Sequence, residues 1–213
     1  MAAKLTYSKV QEFLISLVPE REPEMLVMEK YGEATGFPII GPAAGYVCYQ
    51  TTRLIGARNV FEMGSGYGYS TAWFARAVKE NGGGKVHHVV WDQKLSERAV
   101  VHLAKLGYDK LIEYHVAEAV AELGKAAGPF DLIFNDIDKQ AYPSSLPLIK
   151  QKLRKGGVLI IDNILWSGQV FDAKDHSKNT EAIRRFTHAI TTDPDWIVTL
   201  TPVRDGLIIA YKQ

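Results

Sequence analysis

The chain has 213 residues, of which 46% are hydrophobic and 23% charged, and its formal net charge is +1 at pH 7. This length suits a single α/β domain, 1–213, with a sizeable core, and the near-neutral charge argues against nucleic acid or an anionic membrane surface as a partner. The single cysteine, Cys48, excludes an internal disulfide, and no run is apolar enough to span a membrane. We therefore expect a cytoplasmic protein that begins without a signal peptide.

The first 40 residues predict a helical appendage ahead of the main sheet. Ser8 is a candidate N-cap for a short amphipathic helix, and a second helical pattern follows Pro23. Gly41-Pro42 predicts a turn, and a third helix is predicted over 45–55. This last helix leads into the first strand of the main sheet.

From residue 59 onward, short apolar runs alternate with helical segments. The predicted strands are 60–63, 86–91, 112–116, 132–135, 158–161, 196–201 and 207–211, with the last two joined by a hairpin turn at 204–206. The predicted helices are 70–80, 95–106, 117–126, 143–153 and 180–190. Such alternation is typical of right-handed crossovers. We therefore predict a Rossmann-like, seven-stranded, mostly parallel sheet with helices on both faces and an antiparallel last strand.

A glycine-rich stretch, Glu-Met-Gly-Ser-Gly-Tyr-Gly-Tyr-Ser at 62–70, joins the first strand to a helix. A P-loop requires a lysine, which this stretch lacks. A dinucleotide fingerprint requires its third glycine one position later than Gly68. Glu62 would repel a pyrophosphate but suits a cationic or hydroxyl-bearing ligand. Asp92, at the end of the second strand, is placed to bind ribose hydroxyls. A tight loop without a ligand is one interpretation; S-adenosylmethionine, with its ribose, ammonium and sulfonium, is the favoured one.

Oxygen-bearing side chains follow two further strands. Asp136 ends the predicted strand 132–135, and Asp162 and Asn163 end the strand 158–161. Because the carboxyl ends of parallel strands meet at one edge of the sheet, we expect these three side chains to lie together. Hard oxygen ligands favour Mg²⁺, or Ca²⁺ or Mn²⁺, over zinc. The alternative is that each is an ordinary strand-end residue.

The six histidines show no cluster along the sequence. His87 and His88 are neighbours in a predicted strand and should point to opposite faces. The others, which have no partner at metal-ligand spacing, are His102, His115, His176 and His188. We interpret all six as ordinary surface or core residues.

Together, these motifs resemble the cation-dependent O-methyltransferase family, which includes catechol and caffeoyl-CoA O-methyltransferases. The resemblance runs from about residue 38 to the C-terminus, and its matching stretches are 62–70, 130–139 with Tyr142, 156–168 and 205–206. The pairing of Asp-x-Asp-Lys with Asp-Asn-x-Leu-Trp is its most specific part.

The resemblance implies a role for each matching position. Lys139 matches the lysine that takes the acceptor's hydroxyl proton or assists its loss. The metal ligands would be Asp136, Asp162 and Asn163, and the residues bordering the acceptor would be Trp166 and Ser167. The positions matching those that hold S-adenosylmethionine are Ile40, Glu62, Gly64, Gly66, Ser70, Asp92, Ala119, Asp136 and Asp138.

The activity that the resemblance implies is methylation of one hydroxyl of a catechol-like vicinal phenolic diol by a homodimer. Three positions depart from the family pattern. Ala117 replaces a glycine of the adenine loop, Asn135 replaces an aliphatic residue, and Thr199 lies near an acid of the animal catechol enzymes. The alternatives are a non-catalytic S-adenosylmethionine-binding protein and, less favoured, a nicotinamide-dependent oxidoreductase.

Overall fold

A seven-stranded sheet forms the centre of the fold in the computed structural model, which describes residues 5–213; residues 1–4 of the predicted appendage lie outside the described residues. The strands are β1 (Asn59–Met63), β2 (Lys85–Val90), β3 (Ile112–Val116), β4 (Phe130–Asn135), β5 (Leu153–Ile161), β6 (Trp196–Thr201) and β7 (Leu207–Lys212). Their order is β3-β2-β1-β4-β5-β7-β6, and only the pairings of β7 are antiparallel. The predicted sheet, with its antiparallel last strand, is confirmed.

Helices cover both faces of this sheet, as predicted. They are α1 (Tyr7–Ser16), α2 (Pro23–Thr35), α3 (Gly41–Leu54), α4 (Tyr69–Glu80), α5 (Gln93–Lys105), α6 (Ala119–Lys125), α7 (Tyr142–Lys152) and α8 (Lys178–Thr192), with 3₁₀ turns at Asp109–Leu111, Lys139–Ala141 and Trp166–Phe171. One apolar core includes Met28 and Trp73, and the other includes Leu123 and Phe186. Alternate residues along the central strands enter the two cores, because successive side chains of a strand point to opposite faces. Within the described chain, no helix has the length and hydropathy to cross a bilayer.

Several boundaries differ from the sequence prediction, and three of these differences have a local cause. The N-cap of α1 is Thr6, which accepts from the Lys9 amide at 3.4 Å, because the Ser8 hydroxyl donates to Glu12 instead. Helix α3 begins at Gly41 with a proline in its first turn, where no intrahelical amide bond is lost. Strand β5 begins at Leu153, since its partner β4 starts at Phe130 and pairs with it there.

The N-terminal helix α2 is part of the core. Its side chains Met25 and Met28 are fully buried. The Tyr67 hydroxyl of the glycine turn donates to the Met28 carbonyl at 2.8 Å, and the Tyr69 hydroxyl donates to Glu29 at 2.7 Å. The glycine turn is therefore held from outside the sheet by α2.

The strand order reverses between β1 and β4. After β1 the chain moves to β2 and β3 on one side, and then returns to β4 and β5 on the other. Crossovers on opposite faces leave a crevice at the carboxyl ends of the two strands where the order reverses. The ends of β1 and β4 therefore position the candidate site.

Candidate active site

A cavity of about 790 Å³ opens at the carboxyl ends of β1, β2 and β4. Most of the predicted site residues line it, namely Ile40, Gly64, Gly66, Ser70, Asp92, Ala119, Asp136, Asp138, Lys139, Asn163 and Trp166. Glu62 and Asp162 are fully buried behind its wall, and Ser167 lines an adjoining cavity. The structure thus brings the two motifs of the sequence into one place.

The glycine turn forms the floor of this cavity because backbone bonds tie it to both neighbouring strands. The amides of Gly64 and Ser65 donate to the Val89 carbonyl of β2, and the Asp136 amide donates to the Met63 carbonyl at 2.9 Å. Gly64 has a φ of +88°, and a Cβ there would lie 2.3 Å from the Asp136 carbonyl oxygen. Only glycine fits this close approach, since both the dihedral angle and the space exclude a side chain.

Glu62 lies beneath the turn in a chain of buried polar groups. The Thr71 hydroxyl donates to its Oε2, and His88 Nδ1 lies 2.9 Å from that hydroxyl. Burial raises the pKa of Glu62 to about 7 and lowers the pKa of His88 to about 3. His88 is therefore neutral, and its Nδ1 proton is donated to Thr71. Glu62 Oε1 is buried without a hydrogen-bond partner among the described residues.

Helix N-termini position three acids at the cavity. Asp92 Oδ1 accepts from the Leu95 amide at 3.0 Å, which caps α5, and Asp138 Oδ1 accepts from the Gln140 amide at 3.1 Å. Glu118 caps α6 by accepting from two amides, at 3.0 and 2.7 Å. Each carboxylate accepts a hydrogen bond from the turn or helix that follows it. These bonds hold the three acids where the chain leaves β2, β3 and β4. The loop in which Ala117 replaces the family's glycine therefore still closes onto the cavity.

Lys139 is the most constrained cation of the site. Its side chain is only 9% exposed, and Nζ donates to Asp136 Oδ1 at 2.7 Å and to the Tyr142 hydroxyl at 2.8 Å. The Tyr142 hydroxyl in turn lies 3.3 Å from the Asn135 carbonyl and 3.1 Å from the Asp162 carbonyl. Burial raises the pKa of Tyr142 well above its ordinary value, so it stays neutral. Tyr142 thus fixes the lysine between the ends of β4 and β5.

A buried acid faces this lysine from β5. Asp162 accepts from Arg204 Nη1 on Oδ2 at 2.6 Å, whereas its Oδ1 is buried without a partner among the described residues. Burial, and then the neighbouring charge of Asp136, raise the pKa of Asp162. A carboxylate in this setting requires positive charge nearby, and Arg204 supplies part of it.

Several residues near Asp162 have positive φ angles, which are unfavourable for residues other than glycine. The non-glycine residues with positive φ in the described chain are Asn163, Trp166, Ser167 and Arg204. The side-chain amide of Asn163 donates to Asp205 at 3.2 Å, and the backbone amide of Ser167 donates to the same carboxylate at 2.6 Å. Asp205 therefore holds the loop after β5 against the β6–β7 turn. Such strained positions concentrate at functional sites.

A second cavity, of about 590 Å³, adjoins the first and reaches α1. It shares Ile40, Asn163, Trp166 and Arg204 with the first cavity, and it adds Ser167. Tyr7, Gln11 and Ile15 of α1 form its far side. Trp166 and Ser167, which were predicted to border the acceptor, therefore both line this second cavity, the adjoining chamber.

Among the cavity residues that the sequence did not predict, two are notable, Arg204 and Trp91. Arg204 directly precedes the Asp205-Gly206 pair, so its position in that motif was the available signal. Trp91 is 82% exposed and lines the cavity beside Asp92. The sequence offers no signal for this exposure, because Trp91 continues an apolar run that is otherwise buried.

The prediction that the histidines do not cluster is wrong for two of them. His87 Nδ1 lies 3.3 Å from His115 Nε2, and it lies 3.3 Å from a carboxylate oxygen of Glu113. The register of the parallel pair β2–β3 places Glu113 beside His87, and His115 two residues further along on the same face. Spacing along the chain could not show this, because the cluster depends on which strands are neighbours.

Comparisons with known proteins identify the family of this chain. The family model described as O-methyltransferase matches residues 35–213. A protein of Mycobacterium tuberculosis named catechol O-methyltransferase is 30% identical over 178 residues, which cover 82% of this chain and 80% of that protein. One of the same name from Niastella koreensis is 27% identical, over 84% of this chain and 83% of that protein. The O-methyltransferase TomG of Streptomyces achromogenes, solved in complex with SAM, is 25% identical, with a TM-score of 0.85 and 96% of each chain covered.

These similarities decide between the alternatives that the sequence left open. They favour an enzyme over a non-catalytic binding protein, and a methyltransferase over a nicotinamide-dependent oxidoreductase. The chain belongs to the O-methyltransferase family and is an S-adenosylmethionine-dependent O-methyltransferase.

Proposed function

We propose that this enzyme methylates one hydroxyl of a catechol-like vicinal phenolic diol and that it depends on a divalent cation. The observation that carries the proposal is the convergence of Asp136, Asp162 and Asn163 at the ends of β4 and β5, beside the buried Lys139. Similarity to proteins named catechol O-methyltransferase supports the same acceptor class.

The residues present fit a hard divalent cation. Asp162 Oδ1 is a buried acceptor without a partner among the described residues, and Asp136 offers a carboxylate at the cavity wall. The amide nitrogen of Asn163 is engaged by Asp205, which leaves its carbonyl oxygen as the ligand atom. Three oxygen ligands suit Mg²⁺, Ca²⁺ or Mn²⁺ and leave coordination positions for two acceptor oxygens. When bound, the cation would supply positive charge that lowers the pKa of an acceptor hydroxyl.

The large cavity is proposed to hold the methyl donor. Its volume lies within the range of cofactor sites. Asp92 lies where it can accept from ribose hydroxyls, and Gly64, Gly66 and Ser70 form the floor near the start of α4. Ile40, Ala119 and Asp138 complete the proposed contacts. Glu62 is assigned to the donor's cationic end, since its buried Oε1 has no partner among the described residues and lies directly beneath the turn.

Lys139 is proposed to assist loss of the acceptor's hydroxyl proton. Its Nζ is held by Asp136 and Tyr142, so it stays in one position beside the proposed cation ligands. The chain's remaining contribution is alignment: it must hold the acceptor oxygen in line with the methyl carbon. Methyl transfer then proceeds from sulfonium to oxygen without a covalent enzyme intermediate.

The adjoining chamber is proposed to hold the ring of the acceptor. Trp166 and Ser167 border it, and Ile15 adds apolar surface from α1. A chamber with an aromatic wall and polar groups on the side of Asn163 suits a phenolic ring whose hydroxyls point toward Lys139.

The test is a panel of catechols incubated with S-adenosylmethionine and either Mg²⁺ or EDTA, with methylated products identified by mass spectrometry. We expect transfer to catechols in Mg²⁺, loss of transfer in EDTA, and recovery when Mg²⁺ is restored. Monophenols of the same size serve as the acceptor control, because they cannot offer two oxygens. Asp162→Asn should abolish the Mg²⁺ response.

Transfer that continues unchanged in EDTA would contradict the cation dependence. It would leave Lys139 and Arg204, which already contact Asp136 and Asp162, as the positive charges of the site. Equal transfer to monophenols and catechols would contradict the diol acceptor while leaving O-methyl transfer intact.

A further inference from the structure

A cluster of metal-ligating side chains lies on the β2–β3 edge of the sheet. Its members are His87, Glu113 and His115, whose ligand atoms lie within 4.8 Å of one another. Side chains of His87 and His115 are 15% and 26% exposed, and Glu113 is 44% exposed. None of the three lines either cavity of the active site. The cluster therefore has no part in the methyl-transfer chemistry proposed above.

The hydrogen-bonding of this cluster is incomplete within the protein. His115 Nδ1 lies 3.1 Å from Glu122 of α6, so its proton is donated there and Nε2 presents a lone pair toward His87. His87 Nδ1 lies 3.3 Å from that lone pair and 3.3 Å from Glu113 Oε2. A neutral His87 has at most one proton on Nδ1, which can satisfy only one of these two acceptors. A cation among the three atoms would satisfy them all.

The two separations from His87 Nδ1 match tetrahedral zinc. Zinc lies about 2.0–2.1 Å from imidazole nitrogen and about 2.0–2.2 Å from carboxylate oxygen, so tetrahedral ligand atoms are roughly 3.3–3.5 Å apart. His87 Nδ1 lies 3.3 Å from His115 Nε2 and 3.3 Å from Glu113 Oε2. Two imidazoles and one carboxylate are a zinc-type ligand set, unlike the all-oxygen set of the active site.

The surroundings support such a site. Glu122 orients His115 through its other ring nitrogen, which is the usual arrangement behind a metal-bound histidine. Phe61 and Phe130 pack against the His87 ring, with ring centroids 5.6 and 5.3 Å away, and limit its movement. Lys85 is the cation nearest to Glu113, but it approaches the other oxygen, Oε1, at 4.0 Å.

The geometry points to a second metal site, in which His87 Nδ1, His115 Nε2 and Glu113 Oε2 bind one Zn²⁺ ion with a fourth position open to solvent. The site would join β2, β3 and, through Glu122, helix α6. Because α6 begins at Ala119 on the cavity wall, a metal here would stiffen the cofactor side of the fold. Its role would be structural, since the cluster lines neither cavity of the active site.

The test is calorimetric titration of Zn²⁺ into the metal-stripped full chain in a large excess of Mg²⁺, which occupies hard oxygen sites. We expect one Zn²⁺ to bind per chain at this cluster and to raise the thermal unfolding midpoint. His115→Gln and Glu113→Gln should each lower Zn²⁺ affinity by ~10-fold or more and remove the rise in midpoint. His176→Gln is the matched control, because His176 also contacts a glutamate, at 3.2 Å, but lies outside the cluster.

Circular dichroism in the absence of zinc establishes that each variant is folded. If the His115 variant disturbs the sheet, the Glu113 variant still tests the site. Zinc affinity that is equal in wild type and both variants would overturn the proposal, as would the absence of binding by folded wild type. A hydrogen-bonded His–His pair without metal would be the conclusion in that second case.

Discussion

At the scale of single residues, the site depends on charges that are buried together. Lys139 donates to Asp136, Tyr142 and the Ile137 carbonyl, and Arg204 donates to Asp162. Removing one partner from such a set leaves the other buried and unpaired, which costs more than the pair contributes. Substitutions here should therefore change chemistry and stability in ways that can be separated by measurement.

Lys139→Met is expected to lower kcat by roughly 10²-fold or more, the usual contribution of a positioned proton-transfer group. S-adenosylmethionine affinity should change little, because Nζ contacts Asp136, Ile137 and Tyr142 instead of the glycine turn. Steady-state kinetics and calorimetry with the donor measure the two effects. Lys155→Met is the control, since Lys155 is exposed. A purified variant with unchanged kcat would rule out the role of Lys139.

The pKa of Glu62 is about 7 in the folded chain and about 4.5 in the unfolded chain. Between these two pH values, Glu62 is deprotonated in the unfolded chain but still protonated in the folded chain. The stability contributed by protonated Glu62 is therefore present below pH 4.5 and is lost as pH rises through 7. Wild type should therefore lose on the order of 3 kcal/mol relative to Glu62→Gln over this range. His88 is common to both proteins, so its own titration cancels in the difference.

Urea unfolding of the two proteins at pH 4.5, 6 and 7.5, without ligand or metal, measures this difference in the free energy of unfolding. We expect the same variant to bind S-adenosylmethionine more weakly at pH 7.5. A difference in unfolding free energy that is constant with pH would show that Glu62 titrates normally.

At the scale of elements, helix α1 is attached to the β6–β7 turn by a few polar contacts. Gln11 donates to the Pro202 carbonyl at 3.0 Å and accepts from the Arg204 amide at 2.6 Å, and the Tyr7 hydroxyl donates to the Arg204 carbonyl at 2.5 Å. No residue of α1 is buried. The helix therefore covers the acceptor chamber with only partly buried apolar contact to the core, through Leu14, so these hydrogen bonds contribute strongly to its position.

Gln11→Ala removes two of these contacts, each contributing about 1 kcal/mol. We expect faster amide hydrogen exchange across α1 and a several-fold higher KM for the acceptor, with the affinity for S-adenosylmethionine unchanged. Ser8→Ala is the control, because the Ser8 hydroxyl donates to Glu12 within the same helix. If the exchange rates of the two variants agree, Gln11 does not hold α1 in place.

At the scale of the whole molecule, the homodimer implied by the family resemblance stays a prediction. Large apolar side chains are exposed on and beside α1, where Leu5 is 78%, Phe13 62% and Leu17 61% exposed. A concentration of exposed apolar side chains on one short segment is typical of a protein interface. Phe13→Glu should therefore shift the chain from dimer toward monomer in multi-angle light scattering. A wild-type monomer at all concentrations would contradict the prediction.

The sequence by itself determined the α/β class, the order of the strands along the chain and most helix ends. These follow from hydrophobic periodicity, glycine turns and capping residues, which act over a few neighbouring positions. It also determined that the acids after β4 and β5 should meet, because parallel strands end at a common edge.

Only the tertiary structure decided which distant residues touch. Arg204 contacts Asp162, and His87 contacts His115 and Glu113, through strand neighbours and register that no local pattern contains. Tertiary structure also decides the pKa of Glu62, which is raised because the surrounding groups exclude water. Local chemistry therefore selects the elements, whereas long-range packing decides which side chains share a site and which charges are deprived of solvent.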